Sequence, residues 1–256
     1  IKTRIEGAIL EVTLDRPKAN AIDAATSVEM GRVFADFRDN PDLRVAIVTG
    51  GGDRFFCAGW DLKSAAEGES VEADYGVGGF AGLQELPDLN KPVIAAVNGI
   101  ACGGGFELAL SCDMIIASQE ASFALPEINA GTLADAATIK LPKRIPYHVA
   151  MDLLFTGRWI DAKEAHHWGL VNEVVEHDQL MERTWELARL LASGPPLVFA
   201  CIKETVRMTE TATTQEAFNM LHESKIPTMR TLYDSEDQLE GAKAFAEKRD
   251  PVWKGR

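Results

Sequence analysis

The chain lacks most of the features that would mark it as secreted, membrane-embedded or metal-bound. Its four cysteines, Cys57, Cys102, Cys112 and Cys201, form no CxxC pair, a spacing that points to reduced thiols and not to a disulfide framework or a zinc site. A reducing, cytoplasmic setting is expected. No run approaches the roughly 18 apolar residues of a membrane span, and the opening IKTRIEG carries no apolar signal-peptide segment. Positive charge is scarce: 26 Lys and Arg against 39 Asp and Glu leave a net charge of −13. Such a field repels nucleic acid and anionic membranes, so neither is an expected partner. Any anionic ligand must find a local cation. The five histidines show no HExxH spacing, so no metal is expected, and without a GxSxG elbow a serine hydrolase has no nucleophile. GVGGFA (76–81) has the glycine spacing of a dinucleotide loop, but it follows an acidic stretch instead of a strand, which removes the context that such a loop needs.

What is present suffices for a large core, since 46% of the 256 residues are apolar. Up to about Pro126, the β-rich runs AILEVTL (8–14), RVAIVTG (44–50), PVIAAVNG (92–99) and DMIIAS (113–118) are interspersed with helical stretches, one starting after Asp23. That alternation predicts a layered α/β core. From about residue 135 the pattern is mostly helical, interrupted at Pro146, Gly157, Gly169, Pro195 and Pro196 and by one strand-like run, LVNEVV (170–175). EGESVEADYGVGGFAG (67–82) is acidic, Gly-rich and poorly patterned, which reads as a mobile flap.

The chemistry concentrates where the β-rich half ends. Gly103, Gly104 and Gly105 lead from a strand into a helix carrying Glu107. Unencumbered amides at a helix start favour negative charge, permanent or developing. Close strand–helix packing accounts for the same glycines. A second Gly-containing turn, FFCAGWDL (55–62), can supply another amide, and two such donors aimed at one point make an oxyanion hole. Between Glu107 and Glu127, which lies in the apolar run SFALPEI (122–128), come one helix, the strand DMIIAS and a turn, a path short enough to go out and return, so both carboxylates can face one pocket. A carboxylate in apolar sequence is costly to bury unless it is paired or used.

These residues carry a resemblance. DRPKANAI (15–22), FFCAGWDL, KPVIAAVNGIACGGGFELALSCDMIIAS, FALPEINAG and TGRWIDAKEAHHWGLVNEVV resemble, in order and over essentially the whole chain, the crotonase or enoyl-CoA hydratase superfamily. ANAID, AGWDLK, GGFAG and FAEKRDPVWKGR are most similar to its carnitinyl-CoA dehydratase branch. The resemblance implies an α/β fold, a spiral of ββα units over residues 1–195, followed by a helical region, 196–256, that serves trimerisation and covers the ligand. It implies reversible hydration of a 2-enoyl-CoA, a hydro-lyase reaction needing no cofactor, since coenzyme A is part of the substrate. Carnitinyl-CoA and crotonobetainyl-CoA are the expected pair. The amides matching Ala58 and Gly104 would hold the thioester oxygen. Glu107 would handle the water and Glu127 the Cα proton, in opposed protonation states because two close carboxylates do not readily both ionise. Coenzyme A would lie against Lys18, Ala19 and Asn20 and against Gly59, Trp60, Asp61 and Leu62, with Phe245 and Lys248 closing the site, in some relatives from a neighbouring subunit. A homotrimer or a dimer of trimers is implied.

One segment departs from the family. Many relatives carry a Gly-Gly pair shortly after the second glutamate; TLADAAT (132–138) has Ala136 and Ala137 there, and the added methyls bear on how the acyl group fits. Asp135 reads as a helix N-cap or as an extra acid/base of the kind isomerase relatives use nearby. The alternatives to hydration are therefore an isomerase or other enolate chemistry through Asp135, and a non-catalytic acyl-CoA-binding relative. Trp60 reads as pocket wall, or as an indole face for a trimethylammonium group.

Overall fold

A computed structural model describes residues 1–70 and 72–256. The chain opens on a hairpin, β1 (Lys2–Glu6) antiparallel to β2 (Ile9–Leu14), and continues through α1 (Ala24–Asp39). Asp23 caps α1, its carboxylate accepting the Thr26 N–H at 2.8 Å. Then come β3 (Val45–Gly50), β4 (Phe55–Cys57), α2 (Leu62–Ala66), β5 (Val93–Val97), β6 (Ile100–Cys102), α3 (Gly104–Leu110), β7 (Met114–Ser118) and β8 (Ser122–Ala124). The rest is α4 (Glu127–Ala130), α5 (Asp135–Lys140), α6 (Tyr147–Thr156), β9 (Ile160–Asp161), α7 (Ala162–His167), β10 (Glu173–Val175) and α8 (Leu180–Ala192), followed by α9 (Pro196–Thr209), α10 (Thr214–His222), α11 (Pro227–Tyr233) and α12 (Asp237–Glu247).

The strands form two sheets, ordered β1-β2-β3-β5-β7-β10 and β4-β6-β8-β9. Successive units each place one strand in the large sheet, the next in the small sheet, and then a helix, so the chain winds as a spiral of ββα turns. All neighbours from β2 to β10 in the large sheet are parallel, and parallel strands are normally covered on both faces. The alternation of side chains shows how. Val12, Ala46, Val48, Ala95 and Val97 join the main core, whereas Ile9, Val45, Ile47, Ile94 and Ile116 pack under Leu180, Trp185 and Ala188 of α8. That two-sided burial is why these runs are continuously apolar in sequence.

The four β-rich runs and the helix after Asp23 form as predicted. LVNEVV contributes only Glu173–Val175 to a strand. The small sheet, with strands of two or three residues, has no readable periodicity. The flap expectation needs correction for its glycine-rich half. Gly82 packs so tightly on α1 that a Cβ there would collide with Met30 and Gly31 backbone, and the Ala81 N–H donates to Ser27 Oγ at 3.0 Å in a buried contact. Val71, in the same segment, lies outside the described residues.

Candidate active site

The ends of the small-sheet strands bring the two glycine turns together. Gly59 (φ 86°) follows β4, and Gly103 (φ 55°) follows β6; both lie in the left-handed region that glycine tolerates best. A Cβ on Gly59 would lie 2.6 Å from the Cys102 carbonyl oxygen and 2.9 Å from the Gly104 nitrogen. The turns are thus in direct contact. Gly104 opens α3, so its N–H has no intrahelical acceptor.

The partner amide is not at Ala58. The Ala58 N–H donates to the Ala19 carbonyl at 3.1 Å and is already spent. Around Trp60, the Ile22 N–H donates to the Gly59 carbonyl and the Asp61 N–H to the Ile22 carbonyl, both at 2.8 Å, leaving the Trp60 N–H without an acceptor among the described residues. The free pair is Trp60 and Gly104. Of the turn's other amides, Ala58 and Asp61 donate to Ala19 and Ile22 and Gly59 to Cys57 Sγ, pairings that sequence does not reveal, and sequence reading therefore points to Ala58 and not to Trp60.

The two glutamates meet beside these amides in unlike settings. Glu107, 7% exposed, accepts the Ala137 N–H at Oε1 (2.9 Å) and Gln84 Nε2 at Oε2 (3.3 Å). Burial raises its pKa, and the two donors oppose that shift. Glu127 begins α4, its Oε1 packed against Gly103 where a Cβ would collide. Its Oε2 is buried with no hydrogen-bond partner among the described residues. Burial pushes its carboxyl up to about 7, and the charges of Glu107 and Asp135 add to the shift. One carboxylate is therefore supplied with donors from two other segments, whereas only its own backbone amide offsets the shift at the other.

Asp135 is not a cap. It is the first residue of α5, the N-cap position belongs to Ala134, and no side-chain cap bond is present. Its exposed carboxylate acts on Glu107, Glu127 and Tyr75 through its charge. Ala136 and Ala137 are buried, and the Ala137 amide holds Glu107, so a side chain in place of glycine here does not remove that donor. Aromatic rings line the same space. Phe80 covers Gly104 and meets Tyr75 edge-on at 5.5 Å. Trp60 Nε1 donates to Glu69 at 2.9 Å, and Glu69 also accepts the Ala24 N–H at 3.2 Å.

The segments expected to cradle coenzyme A are laced side by side by the 19–22 and 58–61 hydrogen bonds. Lys18 (φ 76°) is exposed and makes no ion pair among the described residues. The side chains of Asn20 and Asp61 are committed within the protein. Asn20 donates to the Gly51 and Phe55 carbonyls at 3.0 and 2.8 Å, and Asp61 caps α2 through the Lys63 N–H. Leu62 is exposed. Phe245 is 88% exposed on α12, and no hydrogen bond or ion pair among the described residues joins it or Lys248 to this site. A single copy does not bring those two residues in.

Residues 4–256 match the enoyl-CoA hydratase/isomerase family. The chain is 56% identical over 251 residues to carnitinyl-CoA dehydratases of Citrobacter koseri and Proteus mirabilis, covering 98% of this chain and 96% of each relative. Among solved structures, an enoyl-CoA hydratase from Mycobacterium tuberculosis superposes with a TM-score of 0.90 at 36% identity, over 100% of this chain and 98% of that one. One from Bacillus anthracis gives 0.90 at 33% identity, over 100% and 99%.

Proposed function

The chain belongs to the enoyl-CoA hydratase/isomerase family, and we propose that it adds water reversibly to a 2-enoyl-CoA, with crotonobetainyl-CoA and carnitinyl-CoA as the physiological pair. The observation that carries this reading is the inequality of the two glutamates beside two free amides. The thioester oxygen is held by the Trp60 and Gly104 N–H groups. Glu107, ionised and hydrogen-bonded, takes a proton from water as its oxygen bonds to Cβ, and the π electrons move onto the thioester oxygen as an enolate. Glu127, protonated because its environment disfavours charge, gives its proton to Cα as the enolate collapses. A proton passing from Glu107 to Glu127 through solvent resets the site, so water is added with no net gain or loss of protons by the protein.

The cationic acyl group is supported by Trp60, Tyr75 and Phe80 together with Glu69 and Asp135, since aromatic faces and carboxylates favour a quaternary ammonium. Lys18 supplies a local cation for coenzyme A on a protein of net charge −13. No cofactor is required. Exposed Ile202, Val206, Phe218, Leu239 and Phe245 on α9, α10 and α12 favour assembly through residues 196–256, as a homotrimer or a dimer of trimers. No helix among the described residues is long and apolar enough to cross a membrane, and four free thiols fit a reducing cytoplasm.

The deciding experiment mixes the protein with crotonyl-CoA and crotonobetainyl-CoA and follows loss of enoyl-thioester absorbance; no change with either at high enzyme sinks the reading. A second reading, double-bond isomerisation through Asp135, rests on that carboxylate being uncapped and close enough to act on both glutamates. It gains if Asp135→Asn lowers turnover more than Glu107→Gln or Glu127→Gln.

A further inference from the structure

Glu107 sits in a closed ring of hydrogen bonds that the reaction as written does not use. Gln84 Nε2 donates to Glu107 Oε2 at 3.3 Å. The Gln84 main-chain carbonyl accepts Lys140 Nζ at 3.2 Å, and the same ammonium donates to Ser111 Oγ at 2.8 Å. The Ser111 hydroxyl returns to the Glu107 carbonyl at 2.8 Å. The circuit spans three parts of the chain. Glu107 and Ser111 come from α3 and its end, Lys140 from the last turn of α5, and Gln84 from the turn that follows the anchored glycine segment. The Ala137 amide, one turn before Lys140 on α5, binds the other oxygen of Glu107.

Each member has little freedom to do anything else. Lys140 is half-buried, and burial lowers its pKa; its ammonium is held by two neutral oxygens, the Gln84 carbonyl and the Ser111 hydroxyl, which offset part of the cost of withdrawing the charge from water. Leu83 and Leu86, on either side of Gln84, are buried, which fixes the turn. No comparable side chain reaches Glu127, whose Oε2 has no partner among the described residues.

We propose that Gln84, held by Lys140, is a positioning residue that aims the Glu107 carboxylate at water and thereby settles which of the two glutamates acts as base. This rests on the hydratase reading above. A hydrogen bond donated to an ionised carboxylate favours the ionised form. Without Gln84, Glu107 keeps only the Ala137 amide, is free to turn, and holds its proton more tightly.

The test is Gln84→Met, which keeps the length and removes the donor. The kcat for hydration of crotonobetainyl-CoA is expected to fall roughly ten- to hundredfold, the span of a hydrogen bond to a charged group, with KM changed much less. The acid limb of the kcat profile moves to higher pH, because Glu107 must be ionised to accept the proton. Independently of turnover, the Glu107 carboxyl is titrated by NMR in protein carrying 13C-labelled glutamate, with Glu107→Gln for assignment. Its midpoint rises in Gln84→Met. An unchanged midpoint with an unchanged kcat overturns the proposal; so does a loss of activity with an unchanged midpoint, which indicates a merely structural part. If the unaltered protein hydrates neither enoyl thioester, the hydratase reading fails, and the titration still decides whether Gln84 governs Glu107.

Discussion

Gly59 faces the amide nitrogen of Gly104 so closely that a Cβ on the first would stand 2.9 Å from the second. That proximity joins two turns more than forty residues apart in sequence into one pair of donors. Gly59→Ala must push them apart, and φ at this residue is 86°. The expected result is a loss of about a hundredfold or more in kcat, the typical effect of losing one oxyanion donor. Kinetics on crotonyl-CoA, with a melting curve to confirm folding, check it.

The two directions should share one pH profile. Hydration needs Glu127 protonated and Glu107 ionised, and dehydration starts from the reverse arrangement, so both use the form in which the pair holds a single proton. Burial pushes the Glu127 carboxyl up to about 7, so kcat/KM is expected to fall in both directions as pH rises through that value, with their ratio unchanged because no net proton is gained or lost. Initial rates at low substrate, measured both ways between pH 5 and 9, check it; activity undiminished at pH 9 would remove Glu127 from the proton-carrying role.

The same carboxyl should cost stability. Its carboxyl is pushed from the ordinary 4.5 up to about 7 in the folded state, so between those two values the native state binds more protons than the unfolded state. Stability contributed by this group is full below the lower value and declines as pH rises to the upper one. Glu127→Gln is therefore expected to raise Tm at pH 8 by at least about 2 °C and to change it less at pH 5. A calorimetric scan at both values separates this from a pH-independent effect.

Charge, and not bulk, should govern the acyl preference. Crotonobetainyl-CoA and its neutral isostere 5,5-dimethylhex-2-enoyl-CoA differ only in the quaternary atom, nitrogen against carbon. The chain is expected to favour the cation, and Asp135→Asn to reduce the ratio of the two kcat/KM values roughly two- to tenfold, as suits a solvent-exposed charge. Equal ratios before and after would remove Asp135 from substrate recognition.

Much of this was legible in order. Long parallel strands announce themselves because two-faced burial makes AIVTG and VIAAV continuously apolar, and Asp23 marks a helix start through its side-chain cap. The small sheet did not, since strands of two or three residues carry no period. The flap was misjudged for a related reason. The glycines of 76–82 read as looseness, whereas the packing of Gly82 on Met30 and Gly31 shows glycine chosen for close approach.

The sequence alone singled out the two carboxylates, because glutamates set among apolar residues beside glycine turns are costly unless used, and the structure sets Glu127 against Gly103 and buries Glu107 on the helix that follows. It could not determine which backbone amides were free. Ala58 and Trp60 stand two residues apart in one turn, and only the partnering with residues 19–22 decided that the first is spent and the second open. The difference between Glu107 and Glu127 was likewise settled in three dimensions. Gln84 and Ala137 reach one carboxylate from distant parts of the chain, whereas only its own backbone amide acts on the other, and protonation follows from the donors and solvent around a group, not from its place in the sequence.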